Sequence, residues 1–333
     1  MSVLELAPVA FGRTATEALH FTTELAKRVE ELGYRRIWVA EHHNMPSIAS
    51  SSPAVLVAHL AASTSAIRVG SGGVMLPNHP PLVVAEQFGT LESLHPGRID
   101  LGIGRAPGTD QRTALALRRT MAGLSAENFP EELVDLIAYF GDTPRGITAV
   151  PARGNEPAIW LLGSSGFSAQ LAGLLGLPFS FAHHFSSAAT VPALELYRTS
   201  FRPSRWLSEP YAKIAVNVVC ADTDEHARWL AAPAALAFLK LRTGMPEPLT
   251  HPRGSRRLPV HPHGPRLHRG PLVRPGHRLP RNRAHPAHQP PRPHRRRRVD
   301  AHHHGLRPRR PDPLLRTRRR QGRRVRQVTG FDR

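Results

Sequence analysis

Cysteine is almost missing from this chain: Cys220 is the only one in 333 residues. No internal disulfide can form, which points to a reducing compartment, and Cys220 itself reads as a small residue inside a strand. No apolar run reaches the roughly 18 residues that a membrane-crossing helix needs. The N-terminus also lacks a basic region followed by an apolar run and a small-residue cleavage site. These absences predict a soluble cytoplasmic protein with no membrane role. No strand–helix junction carries Gly-x-Gly-x-x-Gly; the nearest, "GIGRAPG" (102–108), runs on into Thr-Asp-Gln, which argues against a Rossmann site. A Gly-x-Ser-x-Gly elbow is absent, as is His-x-x-x-His on a helix, so hydrolase and zinc readings find no support and no metal site is expected.

Acidic residues are scarce in one place only. Residues 1–250 hold 20 Lys and Arg against 22 Asp and Glu, whereas residues 251–333 hold 25 Arg, no Lys and 3 acids. The net charge of +20 therefore belongs to the last quarter. That tail has 14 Pro, a single aromatic residue, Phe331, and no sustained apolar period, so as written it is expected to be disordered. Its Arg, Pro and His mixture is what a GC-rich gene yields out of frame. Read one nucleotide later, the codons for Asp300 to His304 permit Met-Leu-Thr-Thr, a strand sequence. The same shift permits Ala-Tyr-Pro-Tyr-Thr-Pro from Arg257 to Pro262 and Ala-Phe-Ile-Glu-Ala from Arg266 to Gly270. A frameshift near residues 244–256 accounts for this. The alternatives are a basic arm that binds nucleic acid through phosphate contacts, without aromatic stacking partners, and a His-rich metal tract without regular spacing.

The first 250 residues alternate short apolar runs with amphipathic ones. Strands are expected at 3–10, 36–42, 67–76, 98–104, 158–164, 178–184 and 212–221. Helices are expected at 14–33, 52–64, 81–95, 130–140, 167–176, 191–201 and 224–242, the first capped by Thr14 and stopped by Gly33. The strands are apolar without alternation, as in parallel sheets buried on both faces. Seven such units predict an α/β protein of the TIM (β/α)8 type, with residues 1–250 as the barrel domain and the eighth unit lost in 251–333. A doubly wound open sheet is the structural alternative.

In a TIM barrel the chemistry sits at the C-terminal strand ends. Those ends read "AEHHNMP" with Glu41, His42, His43 and Asn44; "MLPNHPP" with Asn78 and His79; "GIGRAPG" with Arg105; "GSSGFSA" with Ser164, Ser165 and Gly166; and "FAHHF" with His183 and His184. The Ser/Gly turn entering a helix suits a phosphate, with Arg105 adding a charged fork, or else is ordinary N-capping. The His42–His43 doublet is either functional or one packed and one solvent-facing ring. "GSGGV" (70–74) either admits a flat ring against the backbone or serves barrel packing.

Residues 35–111, with Glu-His-His after strand two, Leu-Pro-x-x-x-Pro after strand three and "HPGRIDLGIGRAPG", together with "WLLGSSGFSAQLA" (160–172), resemble the bacterial luciferase-like flavin-dependent monooxygenases. The resemblance spans about 1–250. It implies a TIM barrel that takes reduced FMN, reacts it with oxygen and oxidises a small organic substrate; a deazaflavin is the alternative cofactor. By position, His42 resembles the family's catalytic histidine, and Arg105, Ser164 and Ser165 match its flavin-phosphate region. Gly72 and Gly73 match a non-prolyl cis peptide beneath the flavin. Gly163 departs from the luciferases, which carry an acidic residue there, and the long lid insertion of the light-emitting subunit is not evident. Neither light emission nor an aldehyde substrate follows.

The resulting expectation is a flavin-dependent monooxygenase served by a separate flavin reductase. A homodimer is left open. The competing readings are a nucleic-acid-binding protein acting through the tail and an inactive, truncated barrel. Sequencing the gene across codons 240–260 is expected to reveal one added or missing base; an unaltered frame would make the tail genuine.

Overall fold

The computed structural model describes residues 1–106, 110–118, 126–141, 146–243, 247 and 249–251. The readings placed on 252–333, including the disordered tail, lie outside them. The order is β1 (Ser2–Glu5), α1 (Ala15–Glu31), β2 (Arg36–Val39), α2 (Pro53–Ser63), β3 (Arg68–Met75), α3 (Pro81–Leu94), β4 (Ile99–Gly104), α4 (Gln111–Arg118), α5 (Phe129–Ala138), β5 (Ala158–Gly163), α6 (Gly166–Leu175), β6 (Phe179–Phe181), α7 (Thr190–Ser200), β7 (Ala212–Ile214) and α8 (Asp224–Arg242). All seven strands are parallel and lie in chain order.

Local chemistry sets the boundaries. Thr14 and Glu17 form a capping box at the start of α1, with Glu17 N–H donating to Thr14 Oγ1 at 3.2 Å and Thr14 N–H donating to Glu17 Oε2 at 2.8 Å. Gly33 adopts φ 72° just past its end, a conformation that glycine takes without strain. The helices pack their apolar faces on the sheet, of which β2, β4 and β6 are buried throughout, and Ile37, Val39, Val69, Ile99, Leu101, Ile103, Ile159 and Leu161 join Phe88, Phe129 and Phe179 in one core.

The sheet is curled into a barrel. Lys213 on β7 places its Nζ 3.0 Å from the ring centre of Trp38 on β2. Five strand spacings in a flat sheet would separate them by roughly 24 Å. Trp160 on β5 meets Trp38 edge-on at 5.4 Å and lies 4.3 Å from the same Nζ. Glycines make this closeness feasible. A Cβ on Gly70 would stand 2.3 Å from the Asp100 carbonyl oxygen, and one on Gly72 would stand 2.6 Å from Leu4. The interior is thus the seven-unit part of a TIM barrel, with β1 and β7 as its edge strands among the described residues.

Asp100, fully buried, is the anion that the cations of the lower interior share. Arg68 donates to it through Nε at 2.9 Å and Nη2 at 2.6 Å, the Trp38 indole donates at 2.9 Å, and Arg36 Nη1 lies 3.5 Å away. Burial, reinforced by Arg36, pulls the Lys213 amine down to about 6, against the opposing pull of Asp100.

The first, second and sixth strands end before their expected bounds, at Glu5, Val39 and Phe181, and two further expectations need correction. The last strand ends at Ile214 rather than at 221, and Cys220 is exposed outside it. β7 pairs with β6 alone among the described residues, and Val216, Val218 and Val219 are 49%, 78% and 46% exposed, so nothing holds that run in a sheet. The long connection after β4 also contains a helix, α4, that its polar sequence did not announce. No helix among the described residues is long and apolar enough to cross a membrane.

Asp100→Ala would leave the buried Arg36 and the half-buried Arg68 without their carboxylate. A loss of about 3–5 kcal/mol in urea unfolding is expected; a variant as stable as the parent would show that the carboxylate does not organise the interior.

Candidate active site

Parallel strands place their C-terminal ends on one rim, so the sequence-predicted residues assemble there. Directly after β2, Glu41 is fully buried and receives four hydrogen bonds. His43 Nε2 and His79 Nε2 each lie 2.9 Å from Oε1, and Asn78 Nδ2 donates to Oε1 at 3.2 Å. The backbone N–H of Met75 donates to Oε2 at 2.9 Å. Burial pushes the carboxyl up, but the His43 and His79 hydrogen bonds, the His79 charge and the Met75 N–H outweigh it and hold the pKa at about 2.

His42 behaves differently. Its backbone N–H is tied to Ser50 O at 2.9 Å, while its ring Nδ1 is buried with no hydrogen-bond partner. Burial lowers its pKa, helped by nearby His43 and His184 and opposed by Glu41, so the ring is neutral near pH 7. Both rings of the doublet are half-buried, so the reading of one packed and one solvent-facing ring does not hold. From β6, His184 rests Nδ1 on Ala215 O at 3.0 Å, and His183 pairs with Thr190 at 2.9 Å.

The Ser/Gly turn opens α6. Ser165 is its N-cap in an extended conformation, yet its side chain caps nothing, and Ser164 is exposed. Arg105 from the end of β4 stacks its guanidinium 4.3 Å from the ring centre of Phe167 in the first turn of α6. Arg105 thus stands beside the first turn of α6, whose free helix N–H groups follow Ser165. At Gly163 a Cβ would meet Ser168 Cβ at 2.4 Å and Oγ at 2.6 Å, so no acidic side chain fits there.

Gly72–Gly73 is a cis peptide. It lies where the β3–β4 register shifts between Gly72 and Val74. A Cβ on Gly73 would stand 2.7 Å from Gly102 O, so barrel packing by itself requires both glycines.

Sequence reading named Glu41 without giving it a role, and missed Asp110. Asn44, at φ 54°, donates to Asp110 at 3.2 Å and to Thr113 at 3.0 Å, and Asp110 accepts the Thr113 N–H at 3.0 Å. This clasp ties the loop after β2 to the start of α4, beside a cavity of about 630 Å3 lined by His43, Asn44, Arg112, Thr113, Ala116 and Leu117. The Asn-before-Met-Pro turn and the Asp-x-x-Thr cap were the available signals.

The family model described as luciferase-like monooxygenase matches residues 1–308. A luciferase-like monooxygenase of Escherichia coli (strain K12) is 51% identical over 245 residues, covering 73% of each chain. The crystal structure of apo-MsnO8 superposes with a TM-score of 0.72 at 40% identity, covering 77% of each chain. The oxygenating constituent of 3,6-diketocamphane monooxygenase from Pseudomonas putida, solved in complex with FMN, shares the fold with a TM-score of 0.58 at 21% identity. That match covers 73% of this chain and 76% of the other.

Because the Glu41 pKa lies below its ordinary 4.5, its stabilisation is complete above 4.5 and is lost as pH falls toward about 2. The difference corresponds to about 3 kcal/mol. Glu41→Gln is expected to lower stability at neutral pH and to flatten its acid dependence across that window, measured by urea titration at each pH. An unchanged slope would place the acid-labile group elsewhere.

Proposed function

The chain belongs to the luciferase-like monooxygenase family, and from that premise we propose that it binds reduced FMN at this rim and uses oxygen to oxidise a small organic substrate. One observation carries the reading: a neutral, half-buried histidine whose buried Nδ1 has no partner stands on the same rim as an uncapped helix N-terminus with an arginine beside it. Buried polar atoms are ordinarily satisfied by hydrogen bonds, so an orphan at a rim suits a ligand.

The residues fit a flavin mononucleotide. Ser164, Ser165 and the first N–H groups of α6 would take the phosphate, with Arg105 supplying the opposite charge. Gly72 and Gly73 would lie beneath the flavin ring only through their backbone, because neighbouring strands already fill the space a side chain would take at each. The bound reduced flavin would supply the electrons for oxygen chemistry. His42 is held by its backbone with a neutral ring, and Nδ1 is the atom that orients or takes a proton there.

Since no nicotinamide-binding motif is present, a separate reductase would deliver the reduced flavin. A deazaflavin is the alternative cofactor. The nucleic-acid reading rests on residues outside the described part and gains no observation. The relationship to the FMN-bound oxygenase supports FMN as the first cofactor to test.

Saturable binding of reduced FMN, followed anaerobically by flavin fluorescence, is expected for the full chain. His42→Ala should change the oxygen-dependent reoxidation rate of bound flavin by at least about 100-fold. The flavin dissociation constant should shift by less than about threefold, less than 1 kcal/mol. Equal reoxidation rates would remove the role of His42, and tighter binding of the deazaflavin would change the cofactor.

A further inference from the structure

The doublet His42–His43 poses a question of division of labour: two adjacent rings on one loop, only one of which touches Glu41 through a hydrogen bond. We propose that Glu41 is the positioning residue of this site. Its buried carboxylate locks His43 and His79 as Nε2–H donors in fixed ring orientations, so that the loops after β2 and β3 form one rigid mouth around His42. This rests on the flavin reading for its link to turnover, though not for its geometry.

The argument is one of donors and acceptors. Oε1 faces three donors, from His43, His79 and Asn78, and Oε2 faces the Met75 N–H. A carboxylate has acceptors only and satisfies all four. A glutamine in the same place must turn its NH2 either toward Met75 N–H or toward the two imidazoles and Asn78. Either choice sets donor against donor. The ring nitrogen that carries a proton is decided by the hydrogen bond it makes, so each ring keeps a proton on the Nε2 that faces Glu41. Partners of this kind, standing behind the groups that face a ligand, fix ring orientation in metal sites by the same logic.

The spatial origin of the donors gives the carboxylate its reach. Glu41 and His43 lie on the loop after β2. Met75 ends β3, Asn78 closes the short 3-10 turn Leu76–Asn78, and His79 follows it. One side chain thereby joins two loops that the chain separates by more than 30 residues. His42 is outside this set: its ring makes no hydrogen bond to Glu41 and its Nδ1 remains buried without a partner. The two histidines of the doublet therefore divide the work, His43 holding the wall and His42 facing what enters.

The test uses the full, flavin-free chain with 15N-labelled histidine. The parent is expected to show two imidazoles fixed in the Nε2–H form, which Glu41→Gln converts to averaged tautomers. With reduced FMN added, the variant's reoxidation rate should move by at least about tenfold, while flavin affinity moves by less than about threefold. Averaged tautomers already present in the parent would overturn the proposal, as would fixed tautomers and an unchanged rate in the variant.

Should Glu41→Gln fail to fold, His79 decides. His79→Gln keeps a donor for Glu41 and should retain the parent rate, whereas His79→Leu should lose it; equal rates in the two overturn the proposal. A parent that binds no flavin would refute the flavin reading alone, because the tautomers are read without cofactor.

Discussion

Arg68 donates twice to Asp100, the Trp38 indole adds a third hydrogen bond, and Arg36 lends its charge, so that β2, β3 and β4 are bound through one buried carboxylate. The rest of the molecule depends on this knot. It fixes the register in which Trp38, Gly70 and Asp100 stand side by side across three strands. That register decides which residues point inward and which strand ends reach the rim. Were the carboxylate unpaired or the strands slipped by one residue, every inward side chain would turn to the helical layer.

The alternation of strands and helices was legible because parallel strands buried on both faces leave continuous apolar runs. β3 and β4 fall within a residue of their expected bounds, and α8 matches at both ends. β7 was legible in type but not in length. "AKIAVNVVC" has the composition of a strand, yet composition cannot state whether a neighbour exists on each side. With pairing on one side only, the strand stops at Ile214 and Cys220 faces solvent. α4 escaped because its apolar face is thin: of its described side chains only Ala114 is buried.

The candidate site was legible as a set of residue types and not as a circuit. Strand-end position predicted that His42, Arg105, Ser164 and Ser165 would share a rim, and Arg105 does reach the α6 N-terminus through Phe167. The centrality of Glu41 was not legible. It depends on Met75, Asn78 and His79 arriving from a different loop, and nothing in the order Glu-His-His says that the acid faces inward. Gly163 was read as a departure from a pattern. Its cause is steric: Ser168 occupies the space where a side chain would begin.

Unsatisfied atoms separate the structural end of the barrel from the functional one. Arg36 Nε and Nη1 are buried without hydrogen bonds among the described residues, but the guanidinium lies 4.8 Å from the Trp160 ring centre and 5.9 Å from that of Trp38, and aromatic faces answer a cation. Its charge is further met by Asp100. Packing and electrostatics thus account for the lower cluster. His42 Nδ1 has neither answer: a neutral ring gains nothing from a counter-charge, and its neighbours Glu41 and His43 are committed to each other. A protein that satisfies Glu41 fourfold while leaving the adjacent imidazole nitrogen bare has spent its own hydrogen-bonding capacity on orientation. His42 Nδ1 is the buried atom on this rim to which the protein itself gives no partner.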